Sequence, residues 1–356
     1  MPLKSLKLSW LLLLFLLIMM LAACGKVGET ASPEETQVPP QQTETPEDTP
    51  EPAPPAYTAP LTGLPLEEPL TRRPLAIMIN NAPAARPQSG LIDADVVYEV
   101  LAEGGVTRLV SIFHSHADNA KIGPIRSIRP YMIDLGESYH GVLVHAGASN
   151  EAFAILQRQH KEDLDEITNA GAYFWRDKSR KAPHNLYSNV EKLLEGAAKR
   201  GFATEDTAVP GYLFYKENEQ PDSLETATHV EIKFQLDSYR VGYDYDASSG
   251  LYKRFMNGEP HKDLETGDPV TAANVVVMGA DHRVLDDVGR LEVGLQLGGD
   301  AILFQQGKVI RANWIRKEGD IIRFIQDNAE IPMVPGQTFI HVVPNSPSFD
   351  SHVKAE

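Results

Sequence analysis

Apolar residues fall along this chain in three rhythms. Leu11 to Leu21 is an unbroken apolar run, and Gly25 to Pro55 holds almost no large apolar side chain. From Leu75 onward apolar residues return in segments of strand or helix length. Leu75–Asn80, Val96–Leu101, Val106–Phe113 and Val142–Val144 predict strands, the second and third joined as a hairpin across Glu103-Gly104-Gly105. Helical spacing follows Pro130 (Tyr131, Met132, Leu135, Tyr139) and follows Ser149 as a cap (Phe153, Ile155, Leu156). It is cleanest at Val190, Leu193, Leu194, Ala197 and Ala198, behind a capping box Ser188-Asn189-Val190-Glu191 and closed by Gly201.

Beyond Thr228 the period drops to two. Val230, Ile232 and Phe234 alternate with polar residues, as do Val241, Tyr243 and Tyr245, with further strands near 274–278, 291–297, 302–304, 321–325 and 338–343. The expected organisation is α+β: a mixed-sheet α/β N-terminal domain over 58–205, a linker over 206–228, and a β-rich C-terminal domain over 229–345. The latter is expected as a sandwich or partial barrel, followed by a tail over 346–356.

The first apolar run has a function of its own. Lys4 and Lys7 precede it, and Leu21-Ala22-Ala23-Cys24 ends it with small residues before a cysteine. That is a bacterial lipoprotein signal over 1–23, with Cys24 receiving the lipid (diacylglyceryl and palmitate-type acyl chains). The Pro-, Thr- and Glu-rich 24–57 cannot offset its ordering entropy and reads as a solvated tether. The expected location is the extracytoplasmic face of the cell membrane, held by lipid. Cys24 is the only cysteine, which excludes disulfides, cysteine catalysis and cysteine-bound zinc from the folded part.

Charge then singles out two stretches. The chain carries a formal −16, about −18 once Lys4 and Lys7 leave with the signal, which argues against nucleic acid as a partner. Against that field stand Lys121-Ile122-Gly123-Pro124-Ile125-Arg126-Ser127-Ile128-Arg129-Pro130 and Arg176-Asp177-Lys178-Ser179-Arg180-Lys181-Ala182-Pro183-His184-Asn185. Arg126, Ser127 and Arg129 precede a predicted helix N-terminus, whose free N–H groups and dipole favour an anion. Arg176, Arg180 and Lys181 add fork and point-charge donors, and His184 and Asn185 a ring and an amide. Asn80, Arg86, Glu103 and Arg108 complete the candidate ligand-binding set. The plain alternative is that these arginines pair with Glu99, Glu103 or Asp134 and only hold the fold.

No phosphate-cradling glycine loop, Gly-x-Ser-x-Gly elbow or His-Glu-x-x-His occurs, and no cofactor or metal is expected. His114-Ser115-His116 lacks a third ligand, Asp244 and Asp246 read as a solvated strand face, and Trp314 reads as core before sugar platform. The leading functional reading is a binding or regulatory module of the cell envelope, its partner a wall polymer or envelope protein. The alternative is an envelope hydrolase or transferase using His145 or His184 with the arginines.

Five segments together resemble a known family. Arg86-Pro87-Gln88-Ser89-Gly90-Leu91, Ala94-Asp95, Glu103-Gly104-Gly105-Val106-Thr107-Arg108, the stretch from Lys121 to Pro130, and Lys181-Ala182-Pro183-His184-Asn185-Leu186-Tyr187 are similar to the signature of YerB-type lipoproteins of Gram-positive bacteria. Pro335-Gly336-Gln337-Thr338-Phe339-Ile340 resembles the closing strand of that family's smaller C-terminal domain. The resemblance implies a surface lipoprotein with an α/β N-terminal and a β-rich C-terminal domain. It implies no reaction and no ligand.

Overall fold

A computed structural model of the chain describes residues 56–116 and 120–356. The expected signal segment, Cys24 and all but the last two residues of the tether lie outside the described residues. No helix among the described residues is long and apolar enough to cross a membrane.

The apolar runs of the first half become β1 (Leu75–Asn80), β2 (Val96–Leu101), β3 (Thr107–Phe113) and β4 (Val142–His145), with β5 at Asp163–Asp165. In the second half the strands are β6 (His229–Lys233), β7 (Arg240–Asp246), β8 (Leu251–Met256), β9 (Asn274–Ala280) and β10 (Gly299–Gln305). They continue with β11 (Lys308–Ile315), β12 (Arg323–Gln326), β13 (Ala329–Glu330), β14 (Thr338–Pro344) and β15 (Val353–Ala355).

Eleven of these form one mixed sheet in the order β13-β12-β11-β10-β9-β14-β2-β3-β1-β4-β5. The two halves meet at β14, which runs parallel to both β9 and β2. A six-stranded sheet built on β8-β7-β6-β15 packs against one face. The buried side chains Ile77 and Ile79 share that core with Val230, Tyr243 and Tyr252. Ala76, Met78 and Val110 face the other way, against Met132 and Leu135 of helix α1 (Pro130–Glu137) and Leu156 of α2 (Asn150–Arg158). Covered on both faces, the central strands read as continuous apolar runs, whereas β6 to β8 have one solvated face and alternate.

The fold is therefore strongly β-rich, and the α/β label fits only locally. Three α-helices are described, the third being α3 (Val190–Lys199). Parallel pairing follows a helical crossover only at β1–β4 and β4–β5. The second half is less a sandwich of its own than expected, because β9 to β14 extend the first half's sheet. Residues 346–356, expected as a tail, hold β15, which pairs with β6. Ser188 does not cap α3: its buried hydroxyl donates to the Tyr173 carbonyl at 2.7 Å. Asn189 takes the cap, accepting the Lys192 N–H at 2.9 Å. Ser149 caps α2, accepting from Ala152.

Candidate functional site

The site forms at the carboxyl end of β1. Asn80 ends that strand, and Arg108 lies opposite it in the antiparallel register with β3. The first basic stretch folds back over this end, with the Arg126 N–H donating to the Met78 carbonyl and the Asn80 N–H to that of Pro124. The second basic stretch is stapled to the first, Ile125 N–H to Leu186 carbonyl at 2.8 Å and Ile122 N–H to Ser188 carbonyl at 2.8 Å. Gly123 makes that junction possible. Its φ is +147°, and a Cβ there would stand 2.6 Å from the Leu186 carbonyl oxygen.

The structure brings the predicted cations together, but most are engaged. Arg129 makes a two-pronged pair with Glu103, one contact at 2.7 Å. Arg176 donates to Glu166 at 3.1 Å and to Asn185 Oδ1 at 3.1 Å, while the Asn185 amide donates to the Asp177 and Arg180 carbonyls. Arg180 holds the Ala85 and Pro87 carbonyls at 2.7 and 2.6 Å. Lys121 pairs with Asp177 and Glu265. Arg86 donates to the Asn81 carbonyl and lies 4.7 Å over the Tyr239 ring, so it belongs to the fold beneath the site. Lys181 is exposed.

Arg126 differs. Half-buried, it makes no side-chain hydrogen bond or ion pair with any described residue. Burial first, then the charge of Arg129 and further off that of Arg176, hold its pKa below the usual arginine range against Glu103. Nearby Arg108 is buried, donates to the Ser127 carbonyl at 2.6 Å, and leaves its Nε without an acceptor. Burial and Arg129 push Arg108 down to about 10. Such crowding of like charge in a half-dry place is unfavourable without an anion.

His184 faces the same cluster. Asn80 Oδ1 accepts the Ala82 N–H at 3.0 Å, so its amide nitrogen is the end that meets His184 Nδ1, at 2.8 Å. Nδ1 must therefore accept, which puts the ring proton on Nε2. Burial, Arg126 and Arg180 lower the ring's pKa and keep it neutral. Ring geometry thus makes Nε2 a donor and leaves no free nitrogen for a general base. His145 is fully buried, with Nδ1 toward the Gly147 carbonyl at 3.0 Å and Nε2 toward Asp163 at 3.4 Å. It contacts none of these arginines.

The other marked residues are structural. His114 is buried on the Arg72 carbonyl, Asp244 pairs with His229, and Asp246 with Lys253. Trp314 is core, donating to the Gly279 carbonyl at 2.8 Å. No group of three or more His, Cys, Asp or Glu among the described residues could hold a metal ion.

A buried polar network under the site went unforeseen. Glu99, expected beside the arginines of the first basic stretch, pairs instead with Arg254 at 2.5 Å, both side chains wholly buried. Arg254 also donates to His261 Nδ1 and to Tyr243, and His261 Nε2 then donates to Gln88 Oε1 at 2.6 Å. The Gln88 amide donates to the Asn80 carbonyl and Asn81 Oδ1, and Asn81 returns to Glu99 at 2.9 Å. His341 closes the ring between Tyr243 and Glu99. His261 Nδ1 can accept from Arg254 only with the ring neutral, which agrees with the depression of its pKa by burial and Arg254. One sequence signal was available: Arg254 falls in phase with Tyr252 and Met256 on the apolar side of an alternating strand.

Comparison with known proteins follows the same two segments. Residues 61–203 match the profile described as "Protein of unknown function (DUF3048) N-terminal domain", and 230–340 its C-terminal counterpart. The Bacillus subtilis (strain 168) protein named "Putative lipoprotein YerB" is 36% identical over 288 residues, 81% of this chain and 86% of that one. The crystal structure of YerB from Bacillus subtilis superimposes with a TM-score of 0.76 at 34% identity, covering 84% of this chain and 99% of that one.

Proposed function

Because the chain belongs to the YerB lipoprotein family, we propose that it is a lipid-anchored binding module on the extracytoplasmic face of the cell membrane, and that the cluster around Arg126 holds an anionic group of its ligand. Cys24 would carry the lipid, the tether would set the folded part off the membrane, and the relative's name supports the anchor. The observation that carries the ligand class is Arg126, a half-buried guanidinium without a partner among the described residues.

In this reading Arg126 supplies the two-pronged charged contact. His184 Nε2 and the Ser127 hydroxyl add neutral donors, and Arg108 adds charge from behind. Asn80 positions the His184 ring, while Glu103 keeps Arg129, and Glu166 with Asn185 keep Arg176, engaged beside it. The fixed His184 tautomer favours binding over acid–base chemistry, since a ring that can only donate suits a ligand oxygen. An anionic wall polymer or an acidic face of an envelope protein fits this chemistry.

The test is titration of the full-length protein with inorganic phosphate, pyrophosphate and citrate at low and high salt. Saturable binding of at least one, weakening as salt rises, is expected for an anion held by a few charges in an acidic protein. Absence of binding to all three at low salt ends the proposal.

A further inference from the structure

The outward face of the six-stranded sheet carries a groove of about 610 Å³ remote in kind from the Arg126 cluster. Its centre is a missing side chain. Gly242, in the middle of β7, lies between Glu231 on β6 and Phe255 on β8. A Cβ at 242 would meet nothing closer than Phe255 Cβ at 3.5 Å, an ordinary contact, and no positive φ requires glycine there. Glycine inside a strand costs about 0.5–1 kcal/mol relative to alanine. Neither packing nor backbone explains it, and what it provides is space, as where a ligand approaches the backbone closely.

The walls of this space are polar, with their ionic side chains tied into pairs. Arg240 meets Glu231 at 3.1 Å, His229 Nδ1 meets Asp244 at 2.6 Å, and Asp237 pairs with Lys233. Each carboxylate of the groove thus has a partner, that of Asp237 lying just outside it, and three carboxylates beside one guanidinium give no pull on an anion. Asn257 spends its carbonyl oxygen on the Arg240 N–H at 2.8 Å, and its amide hydrogens meet no described acceptor. Phe255, partly exposed, adds an apolar wall.

We infer that this groove is a second binding site, for a neutral sugar ring of a glycan, seated over Gly242 against Phe255. A pyranose has an apolar C–H face for the phenyl wall and ring hydroxyls that both donate and accept. The Arg240–Glu231 pair and the Asn257 amide offer both kinds of partner without leaving a charge unmatched.

The test titrates the full-length protein with chitotetraose, cellotetraose and maltotetraose, then repeats this with Gly242→Val, Phe255→Ala and Arg126→Ala. Binding of at least one tetrasaccharide is expected. Gly242→Val, which fills the trough with a residue that suits a strand, should bind at least tenfold more weakly with no fall in Tm. Phe255→Ala should also weaken binding, and Arg126→Ala should leave it unchanged. No binding of any tetrasaccharide, or unchanged affinity in Gly242→Val, overturns the assignment.

Discussion

Arg126 and Arg129 stand three residues apart with the same charge, and the fold gives them opposite situations. Glu103 takes Arg129 by both prongs, while Arg126 keeps its guanidinium uncommitted and is held below its usual pKa. Nothing local in the sequence separates them, because the choice depends on how the β2–β3 turn meets the loop. Glu99 makes the same point over a longer span. Its carboxylate, against the pull of burial, is held well below the usual range by Arg254 and His341. Which cation answers a buried acid depends on two sheets closing on each other, and that is invisible along the chain. Arg254→Met should cost about 3–5 kcal/mol, read as a lower urea midpoint, because it strands a buried charge. Adding Glu99→Leu to it should recover most of that loss. A single-variant cost below about 1 kcal/mol would show that the pair is not buried as described.

Strands and helices were far more legible than their neighbours. Continuous apolar runs mark β1 to β4 and β9, and period two marks β6 and β7, because burial on one face or both leaves that imprint. Sheet membership left none: alternation tells which face is covered, not which strand lies alongside. Hence β14 reads as a strand but not as the joint between the halves, and 346–356 reads as a tail although it holds β15. Gly123 is the element-scale test of the site. Gly123→Ala must strain a φ of +147° and push against the Leu186 carbonyl, so it should lower stability by at least about 1 kcal/mol and weaken anion binding together. Asn189→Ala, which removes only the α3 cap, should cost about 1 kcal/mol and leave binding unchanged. Equal effects of the two on binding would disconnect the junction from the site.

At the scale of the whole molecule, the described residues form one compact unit in which both family segments share a sheet and a core. Its buried histidines set a pH response. Burial lowers His261, His341, His114 and His282 below the ordinary value, with Arg254 adding to the first two. On acidification the unfolded chain then binds protons before the folded one does. The stability they contribute is full above about 6.5 and is lost as pH falls from there through their folded values, at about 1.4 kcal/mol per unit of depression. Urea midpoints should drop between pH 7.5 and 5.5, above the range where carboxylates titrate. A flat or rising midpoint would contradict the neutral tautomers assigned to the network.

The central claim is that Arg126 is kept for a ligand and not for the fold. Calorimetric titration with inorganic pyrophosphate, beside thermal unfolding, of the full-length protein and its Arg126→Ala variant measures both halves of that claim at once. The account predicts at least tenfold weaker binding in the variant, matching loss of a charged hydrogen bond worth about 1.5–3 kcal/mol, with Tm unchanged or raised. Unchanged affinity, or undiminished binding alongside a Tm lowered by several degrees, would mark Arg126 as a structural residue and contradict it.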